Sequence, residues 1–498
     1  MPIPLSRAAL DKLPASIGRP NYRREDLSPG IVHFGVGNFH RAHQAVYVDR
    51  LMNQGVGCDW AICGVGTRPA DQAVVGALRS QDYLSLVVEE SAAASSARVT
   101  GPMIDMIGPG HEQDVIAALA DPRIRVVTMT ITEGGYYTDP ATGRFDVTHS
   151  DIVADAHELA TPNTVFGLIL AGLERRWAEG APAFTVASCD NITGNGDVAR
   201  AAVVGLARLR NPGLARKVED SVAFPNAMVD RITPATSDIE RERAAQLFGV
   251  KDNWPIFCED YLEWVVEDDF PQGRPPLEDV GVRFVGDVTA YETMKLRILN
   301  GGHAVMAYPA ALLDITYAHE AMAHPLVSHF LEKVIAEDVL PQMTAAPGTD
   351  LTNYAALTRR RFSNPNVADT IIRLCFDGSN RQPKFILPSL ADGLAAGQKM
   401  KGLALVCALW CKYCAGRSET GARIAANDPN WSRLQETAQA AKTNPVRWLE
   451  QRWLYGDLAD HRDFALIFSA ALEDVWTKGV APTLSAYLGA AADGVGST

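Results

Sequence analysis

The stretch Ile31-Val-His-Phe-Gly35-Val-Gly37-Asn38-Phe39-His40-Arg41 decides the fold of the first half of this chain. Its apolar beginning, residues 31–36, predicts a buried strand that leads directly into a glycine-containing turn. Residues 43–53 follow with apolar side chains at helical spacing, and residues 60–63 form a second predicted strand that ends in another glycine turn, Gly64-Val65-Gly66. Strand, helix and strand in this order predict the start of a β-α-β unit.

The spacing of Gly35 and Gly37 between a strand and a helix indicates dinucleotide binding. The first glycine makes the tight turn, and the second lets the backbone approach a pyrophosphate at the helix N-terminus. We therefore predict that both glycines bind a cofactor, together with Asn38 and Phe39, which open the helix. His40 stands where the usual fingerprint has a third glycine. An ordinary strand-to-helix turn is the alternative.

The segment after the second predicted strand bears on which nicotinamide cofactor binds. A carboxylate there commonly binds the ribose 2′-hydroxyl of NAD, whereas a cation binds the 2′-phosphate of NADP. The segment Thr67-Arg68-Pro69-Ala70-Asp71 offers both groups. Asp71 favours NAD, and Arg68 leaves NADP open.

The pattern of strands and helices changes after residue 285. Before it, strands are predicted at residues 124–132 and 184–188 with a helix at 165–177, and this alternation predicts a mainly parallel sheet with helices on both faces. After it, helices are predicted at residues 291–313, 326–337, 367–375, 400–415 and 464–478. We therefore predict an α/β domain at residues 1–285, which contains the candidate dinucleotide-binding turn, and a mainly α-helical domain at residues 286–498.

The composition argues against several classes of protein. The 498 residues carry a net charge of −13 and have no basic cluster interleaved with aromatic side chains, which argues against binding to nucleic acid or an anionic membrane surface. Residues 1–7 lack the apolar core of a signal peptide, and no apolar run approaches the ~18 residues of a membrane span. Eight cysteines are too dilute for a disulfide scaffold. We expect a cytoplasmic enzyme with reduced thiols.

Polar side chains follow two of the predicted strands. Thr132-Glu133-Gly134-Gly135 comes after one strand, and Ser188-Cys189-Asp190-Asn191 comes after the other. Ligands of open α/β sheets bind outside the carboxyl ends of the strands. Asn191 is therefore a candidate donor to an oxyanion, and Glu133 is a candidate to pass protons. Either side chain could instead cap a loop.

The stretch Lys295-Leu-Arg-Ile-Leu-Asn300-Gly-Gly-His303 carries most of the chemistry of the second half. In a regular helix Asn300 lies about 140° and His303 about 80° around the axis from Lys295, so one broad face presents all three. An amine, an amide and an imidazole resemble a proton-transfer site, with a base, a dipole for a developing oxyanion and an orienting group. The flanking apolar residues would desolvate the amine and lower its pKa toward the range of a base. A solvated helix end, with the lysine in water, is an equal alternative on these residues alone.

Three spacings match catalytic motifs of other protein classes. Tyr291 precedes Lys295 by four residues, as in short-chain dehydrogenases, but the pair opens a second domain, which favours packing for Tyr291. The run Cys407-x3-Cys411-x2-Cys414 has the spacing of a radical-SAM cluster, yet it lies in an apolar helical segment and predicts buried thiols. His319 and His324 are five residues apart, not the four of a zinc-binding helix.

Five motifs in register resemble those of the polyol-specific long-chain dehydrogenases. They are Gly35-Val-Gly-Asn-Phe-His-Arg-Ala-His-Gln44, Thr130-Ile-Thr-Glu-Gly-Gly-Tyr136, Ser188-Cys-Asp-Asn191, Phe224-Pro-Asn-Ala-Met-Val-Asp-Arg-Ile-Thr-Pro234 and Lys295-x4-Asn300-x2-His303. The resemblance covers nearly the whole chain. It implies a Rossmann-type domain followed by a mostly helical domain, with the active site between them.

The resemblance also implies roles for individual residues. Lys295 would be the general base, in a reaction that uses no metal. Asn191 and Asn300 would hold the reacting oxygen. His303 would orient the substrate, and Glu133 would line the path by which protons leave.

Three further positions are implied to contact the polyol chain, namely Asp230, Arg373 and residue 381. Position 381 is Arg in this chain, where the family pattern leads us to expect Lys, and this departure could alter hydroxyl recognition. The residue that matches Asp71 meets the adenosine ribose in the family, which favours NAD over NADP.

The implied function is NAD-dependent oxidation of a secondary hydroxyl of an open-chain polyol, with D-mannitol and D-fructose as the expected pair and a monomer as the expected state. Within the family, D-arabinitol, sorbitol or a hexuronate, as in fructuronate reductases, are alternative substrates. A hexuronate site should add a cation for the carboxylate, and Arg373 and Arg381 offer one. Outside enzymes, a non-catalytic NAD-binding sensor is the alternative, and the intact Lys295, Asn300 and His303 weigh against it.

Overall fold

The predicted parallel sheet forms the centre of the N-terminal part of the protein. The computed structural model describes residues 1–139, 142–158 and 160–489. The chain divides into two compact units, Met1–Thr289 and Ala290–Thr498. All of the strands named below lie in the first unit.

The central sheet is built from strands whose chain order and spatial order differ. In chain order, the strands of all the sheets in this unit are β1 (Ile3–Pro4), β2 (Pro29–Phe34), β3 (Ala61–Val65), β4 (Ser85–Glu90), β5 (Ser95–Thr100), β6 (Met103–Ile107), β7 (Val126–Met129), β8 (Thr185–Ser188), β9 (Ala227–Asp230), β10 (Val250–Lys251), β11 (Ile256–Glu259), β12 (Glu263–Glu267) and β13 (Arg283–Val285). The central sheet has the spatial order β6-β3-β2-β7-β8, and every neighbouring pair in it is parallel. The strand order therefore reverses between β2 and β7, which is where open α/β sheets bind ligands.

Smaller sheets complete the strands of this unit. One has the order β11-β4-β5, another has the order β13-β12-β9, and β1 pairs with β10. Unlike the central sheet, the first two contain antiparallel pairs, β4 with β5 and β12 with β9.

Helices cover both faces of the central sheet. The helices of the first unit are α1 (Asn38–Ala42), α2 (Gln44–Asn53), α3 (Gln72–Arg79), α4 (Glu112–Ala120), α5 (Ser150–His157), α6 (Val165–Ala178), α7 (Asn195–Arg210), α8 (Pro212–Ser221) and α9 (Asp238–Phe248). Val32 and Phe34 of β2 belong to an apolar core with residues of α4, α6 and α7, whereas Ile31 belongs to a second core with residues of α2. Because successive side chains of a strand point to opposite faces, β2 is buried on both sides, as a central parallel strand should be.

Within the central sheet, two strands differ most from the predictions. β7 is shorter at both ends than the strand predicted at residues 124–132, and in the segment after it the backbone of Thr132 leaves the extended conformation at a φ of 64°. β6, at the edge of the sheet, is absent from the predicted strands. Its middle residue, Asp105, is exposed and interrupts the apolar pattern that a strand prediction requires.

The C-terminal part is mainly helical, as predicted. The helices from residue 289 onward are α10 (Thr289–Met294), α11 (Gly301–Leu312), α12 (Ala318–Ala323), α13 (Pro325–Val334), α14 (Leu351–Phe362), α15 (Ile371–Leu374), α16 (Gly378–Phe385), α17 (Leu387–Ala395), α18 (Lys401–Cys414), α19 (Trp431–Ala441), α20 (Val446–Leu449), α21 (Arg452–Tyr455), α22 (Arg462–Thr477) and α23 (Val480–Leu488). α18 is buried along almost all of its length and packs against α11 and α22. Its cysteines, Cys407, Cys411 and Cys414, are buried free thiols, as their helical spacing predicts.

One predicted helix is mostly absent. The helix expected at residues 367–375 is reduced to α15, because Pro365 begins a tight 3-10 turn and Ala368 follows it with a φ of 50°. The backbone becomes helical again only after Thr370, which is extended. Among the described residues, no helix has both the length and the hydrophobicity that crossing a bilayer requires.

Candidate active site

The turn after β2 requires a glycine at its first position. Gly35 has a φ of +85°, and a Cβ placed on it would lie 2.1 Å from the carbonyl oxygen of Thr130. At Gly37 the nearest atom to an added Cβ would be the Gly35 carbonyl oxygen, at 4.0 Å. The protein therefore closes tightly on the first glycine and leaves open space beside the second, which suits the approach of a pyrophosphate.

Helix α1 begins at Asn38, directly after this turn. The N–H of Arg41 donates to the Gly37 carbonyl oxygen at 3.4 Å, and the N–H groups before it have no partner within the helix. The side-chain amide of Asn38 donates to the Pro234 carbonyl and the Thr236 hydroxyl. Its oxygen accepts from the Arg41 guanidinium. Asn38 can therefore offer a phosphate its backbone N–H, while its side chain holds the turn in place.

In the usual fingerprint the third glycine lets the helix pack closely on the strand, and in this protein two stacked histidines occupy that place. His40, at the third-glycine position, is fully buried, and its ring lies flat on that of His33 with centroids 3.4 Å apart. Phe39 is partly exposed and stacks on His43 with ring centroids 4.8 Å apart.

The turn after β3 holds Arg68 and Asp71 together. The Asp71 carboxylate accepts from the backbone N–H groups of Thr67 and Arg68, both at 3.0 Å, and from the Arg68 guanidinium at 3.1 Å. The Arg68 side chain is 69 % exposed, and that of Asp71 is 14 % exposed. The two groups predicted to distinguish NAD from NADP thus form one ion pair at the carboxyl end of the strand next to β2.

Glu133 and Asn191 follow the carboxyl ends of two neighbouring strands, β7 and β8, and both are exposed residues. The structure therefore brings these two predicted site residues to the same edge of the sheet. Asp190 links the two loops, because its carboxylate accepts from the backbone N–H groups of Ile131 and Thr132, each at 2.9 Å.

Asp190 is a functional candidate to which the sequence analysis assigned no role. Its carboxylate also accepts from the Tyr136 hydroxyl at 2.7 Å. Burial raises the pKa of Asp190, and these hydrogen bonds oppose the rise. The clamp holds Thr132, the residue before Glu133, at a φ of 64°, a conformation that β-branched residues rarely adopt. Strain of this kind is common where a protein positions functional groups. The sequence signal was a carboxylate immediately before Asn191.

Asp230 ends β9 and is buried. The next residue, Arg231, donates to the carbonyl oxygens of Ala42, at 2.6 Å, and of Glu259, at 3.0 Å. It also forms an ion pair with Glu89 at 2.7 Å. This network fixes the carboxyl end of β9, and with it the position of Asp230.

Lys295 begins a π-helical segment, Lys295–Asn300, between α10 and α11. Here the N–H of Gly301 reaches back five residues to the carbonyl oxygen of Leu296. The regular helix assumed for this stretch is therefore wrong. The wider turn of a π-helix places Asn300 closer to the helix face of Lys295 than the roughly 140° separation of a regular helix does. Lys295 is only 6 % exposed, which excludes the solvated-lysine alternative.

Two more features of this helix bear on its chemistry. The Oδ1 atom of Asn300 is buried and has no hydrogen-bond partner among the described residues. A buried amide oxygen is costly to leave unpaired, so Asn300 has hydrogen-bonding capacity for a ligand. Glu292, three residues before Lys295, is also buried, and the sequence analysis did not select it. Its helical spacing from Lys295 was the available signal.

His303 is partly buried, and its ring stacks on that of Phe362 with centroids 4.2 Å apart. Desolvation lowers the pKa of His303 to about 3, although the Asp369 carboxylate opposes this shift. The guanidinium groups that add to the shift belong to Arg373, Arg361 and Arg381. The imidazole is therefore neutral at physiological pH, and it can donate from one nitrogen and accept at the other.

Arg373 and Arg381 both influence His303, but they differ in their own partners. Arg373 forms a two-point ion pair with Asp369, in which Nε lies 2.6 Å from Oδ1. Arg381 donates from Nη1 to the carbonyl oxygen of Leu374 at 3.1 Å. The charge of Arg373 is therefore compensated by a carboxylate, whereas this contact of Arg381 is with a neutral group.

The remaining motif residues of the second unit have simpler surroundings. Tyr291 is buried, and its hydroxyl donates to the Pro347 carbonyl oxygen at 2.7 Å, as a packing residue would.

In the part of the chain that the structure describes, no group of three or more His, Cys, Asp or Glu side chains is arranged to hold a metal ion.

Two features together define a class of protein. The first unit has a glycine turn open to a dinucleotide, and the second has a buried amine followed by an amide on one helix, which are the parts that a nicotinamide-dependent dehydrogenase needs. The chain belongs to the mannitol dehydrogenase family. Residues 29–279 match the family's Rossmann domain, and residues 287–476 match its C-terminal domain.

Individual relatives agree with this assignment. Mannitol 2-dehydrogenase of Cereibacter sphaeroides is 55 % identical over 476 residues, which cover 95 % of this chain and 99 % of that protein. Mannitol 2-dehydrogenase of Aspergillus terreus is 42 % identical over 479 residues, which cover 94 % and 95 %.

Solved structures also resemble this chain along nearly its whole length. The ternary complex of Pseudomonas fluorescens mannitol 2-dehydrogenase with NAD and D-mannitol has a TM-score of 0.85 and 39 % identity, and the match covers 98 % of this chain and 100 % of that one. A substrate-free D-sorbitol dehydrogenase has a TM-score of 0.91 and 35 % identity, over 96 % and 100 %. The predicted family and the predicted fold class are confirmed.

Proposed function

We propose that this protein uses NAD to oxidise a secondary hydroxyl of an open-chain polyol to a ketone, and that it converts D-mannitol to D-fructose. The observation that carries the proposal is the buried Lys295 in one π-helical turn with Asn300. An amine can remove a hydroxyl proton, and an amide can stabilise the negative charge that develops on the oxygen. The choice of D-mannitol is supported by 55 % identity to a mannitol 2-dehydrogenase over 476 residues.

NAD fits the residues of the first unit. The tight turn at Gly35, the open space beside Gly37 and the N–H groups of Asn38 and Phe39 suit a pyrophosphate. We assign Asp71 to the adenosine ribose, and the exposed Arg68 leaves some capacity for NADP. NAD, when bound, supplies the hydride acceptor.

Lys295 acts as the general base. Lys295 is buried, and in the proposed reaction its uncharged amine removes the hydroxyl proton as the carbinol carbon loses hydride. Asn300 and Asn191 donate hydrogen bonds to the reacting oxygen while negative charge develops on it. In the reverse direction the Lys295 ammonium returns a proton to the ketone oxygen. Glu133, exposed beyond the carboxyl end of β7, passes protons to solvent.

The rest of the substrate is bound by negatively charged, positively charged and neutral polar side chains. Asp230, Arg373 and Arg381 bind the hydroxyls of the polyol, and the neutral His303 orients the chain by donating and accepting hydrogen bonds. A hexuronate would need a cation for its carboxylate. Arg373 is paired with Asp369, whereas the Nη1 contact of Arg381 is with a neutral carbonyl, so a hexuronate stays an alternative substrate. The similarity to a D-sorbitol dehydrogenase makes sorbitol the second candidate substrate.

Initial rates of NADH formation in oxidation, and of NADH consumption in reduction, test this proposal. D-mannitol, sorbitol and D-arabinitol are compared as substrates for oxidation, and D-fructose and D-fructuronate as substrates for reduction, each with the NAD and the NADP couple. We expect the highest kcat/KM for the mannitol–fructose pair with NAD, and no loss of rate with a chelator. A higher kcat/KM for sorbitol or for fructuronate would overturn the assigned substrate. Binding of NADH without turnover of any substrate would support the sensor alternative.

We also propose that residues 1–285 form the dinucleotide-binding domain and that residues 286–498 carry the substrate-binding and catalytic groups. The match of residues 29–279 to a Rossmann domain supports the first assignment. The monomeric state and the cytoplasmic location stay predictions. Light scattering after gel filtration tests the monomer, since a dimer would have twice the mass of 53.8 kDa.

A further inference from the structure

We propose that Thr128, His33 and Thr130 form a buried hydrogen-bond relay that holds the Gly35 turn in its cofactor-binding conformation. The inference rests on the proposed function, because it assigns positioning residues to the dinucleotide site. All three residues lie on or directly after strands β2 and β7, beside the point where the strand order reverses.

The relay crosses from one strand to the next and returns. His33 on β2 is in register with Thr128 on β7, and Nδ1 of His33 lies 2.7 Å from the Thr128 Oγ1 atom. The other ring nitrogen, Nε2, lies 3.0 Å from Oγ1 of Thr130. The Thr130 hydroxyl donates to the carbonyl oxygen of Gly35 at 2.7 Å. His33 has no exposed surface, and Thr128 is buried.

The hydrogen bonds settle which atom donates in each step. The Thr130 hydroxyl has a single hydrogen, which points to the Gly35 carbonyl, so its oxygen accepts from Nε2 of His33. A neutral imidazole with its hydrogen on Nε2 accepts at Nδ1, so the Thr128 hydroxyl donates to it. Burial lowers the pKa of His33 to about 3, which keeps the ring neutral and the direction of the relay unchanged at physiological pH.

The relay ends on the atom that determines the shape of the turn. Besides the Thr130 hydroxyl, the Gly35 carbonyl oxygen accepts from the N–H of Gly37 at 2.7 Å and lies 3.3 Å from Nε2 of His33. These donors hold the carbonyl toward the buried side of the turn while Gly35 keeps its φ of +85°. A carbonyl released from them could turn toward the space beside Gly37, where its partial negative charge would repel a phosphate.

The helix that receives the phosphate is tied to the same relay. His40 on α1 lies flat on the ring of His33, with centroids 3.4 Å apart and 14° between the planes. This stack explains a buried histidine at the position of the usual third glycine. Displacement of His33 would therefore move both the Gly35 carbonyl and the start of α1.

The test compares substitutions of Thr130, which follows β7, with substitutions of Thr128 on β7 and Thr185 on β8. Thr130→Val removes the relay hydroxyl with little change of shape, and we expect the Kd for NADH, measured by fluorescence titration, to rise about three- to tenfold, the effect of one lost hydrogen bond. The KM for NAD should rise by a similar factor, and by more than kcat falls. Thr130→Ser restores a hydroxyl and should restore the affinity.

Thr185→Val is the matched control. Thr185 is buried on β8 of the same sheet, and its hydroxyl has no hydrogen-bond partner among the described residues, so its removal should leave the Kd for NADH unchanged. Thr128→Val breaks the far end of the relay and should weaken NADH binding less than Thr130→Val does. Thr128→Val also provides the comparison if Thr130→Val does not fold.

The possible results separate the relay from the proposed function. NADH affinity of Thr130→Val and Thr128→Val equal to that of the wild type would overturn the relay. So would an equal loss in Thr130→Ser or in Thr185→Val, because general packing would then be the cause. Failure of the wild type itself to bind NADH would overturn the proposed function, and the relay with it.

Discussion

The Gly35–Gly37 turn and the Lys295–Asn300 segment are both irregular pieces of backbone, but they position chemical groups by opposite means. In the turn, a positive φ and a gap beside Gly37 present backbone N–H groups and leave room for a ligand. In the π-helical segment, the wider helical turn brings the side chains of Lys295 and Asn300 closer to one helix face. The turn can therefore bind a ligand because its glycines have no side chains, whereas the helix acts through the side chains that Lys295 and Asn300 carry.

This difference teaches what a substitution should do in each region. An added methyl group in the turn changes the space for the cofactor and should act on binding. A deleted side chain in the helix removes a chemical group and should act on turnover. The substitutions below probe this contrast, beginning with the largest expected effect.

Lys295→Ala should lower kcat for D-mannitol about 10²- to 10⁴-fold, the range for loss of a general base, while the Kd for NADH changes little. Stopped-flow and steady-state rates measure the first quantity, and fluorescence titration measures the second. Lys399→Ala removes an exposed lysine of the same unit and is the control. Wild-type turnover by Lys295→Ala would refute the assignment of the base.

Gly35→Ala and Gly37→Ala should both weaken NADH binding, but for different reasons. At Gly35 the Cβ would meet the Thr130 carbonyl oxygen at 2.1 Å, so we expect lower thermal stability and a Kd raised about 10²-fold or more. At Gly37 the Cβ meets no protein atom closer than 4.0 Å, so the unfolding temperature should stay near that of the wild type while the Kd rises about tenfold. Equal NADH affinity of Gly37→Ala and the wild type would show that the pyrophosphate does not use this space.

A neutral histidine in each region makes stability depend on pH. The folded pKa values of His33 and His303 are about 3, below the usual 6.5, so as the pH falls below 6.5 the unfolded chain takes up protons first. The contribution of each histidine to the unfolding free energy is then fully present above pH 6.5 and falls toward pH 3, by up to about 1.4 kcal/mol per pH unit.

Urea unfolding at pH 7.5, 6 and 5 measures this dependence for the wild type and for His303→Gln. Buried carboxyls with raised pKa, such as Asp252, act in the opposite direction, so the difference between the two proteins is the quantity to compare. The slope of His303→Gln should be the shallower one. Identical slopes would mean that His303 titrates alike in the folded and unfolded chains.

Arg381→Lys should have the smallest effect. It keeps the positive charge and replaces the Nη1 donor that reaches the Leu374 carbonyl oxygen at 3.1 Å. We expect the KM for D-mannitol to change by no more than about threefold, at nearly constant kcat, because one neutral hydrogen bond is exchanged for another. A change of kcat larger than that of KM would place Arg381 in the chemical step.

The two regions also differ in how far the sequence predicted them. The strand, the glycines and the start of α1 are neighbours along the chain, so residues 31–41 contain the information for their local structure. For the Lys295 segment, the sequence predicted which side chains react but not how they are arranged, because the predicted angles are those of a regular α-helix. The register of a helix also depends on its neighbours. A Cβ on Gly301, for example, would lie 3.1 Å from the Phe385 carbonyl oxygen, so another helix approaches the end of this segment closely.

Contacts that are distant in sequence account for most of what the prediction missed. The Asp190 clamp on the N–H of Thr132 joins residues 58 positions apart, and it is this clamp that accompanies the early end of β7. Strand β6 has too weak an apolar pattern to be found alone and is identified by its pairing with β3.

The sequence by itself determined the fold class, the glycine turn and the identity of the groups proposed to react, because strand and helix patterns and short motifs depend on neighbouring residues. Only the tertiary structure decided that Lys295 is buried, that it shares a π-helical turn with Asn300, and that His33 and Thr130 hold the Gly35 carbonyl. These features arise from desolvation and from hydrogen bonds between elements, and both depend on which residues the fold brings together.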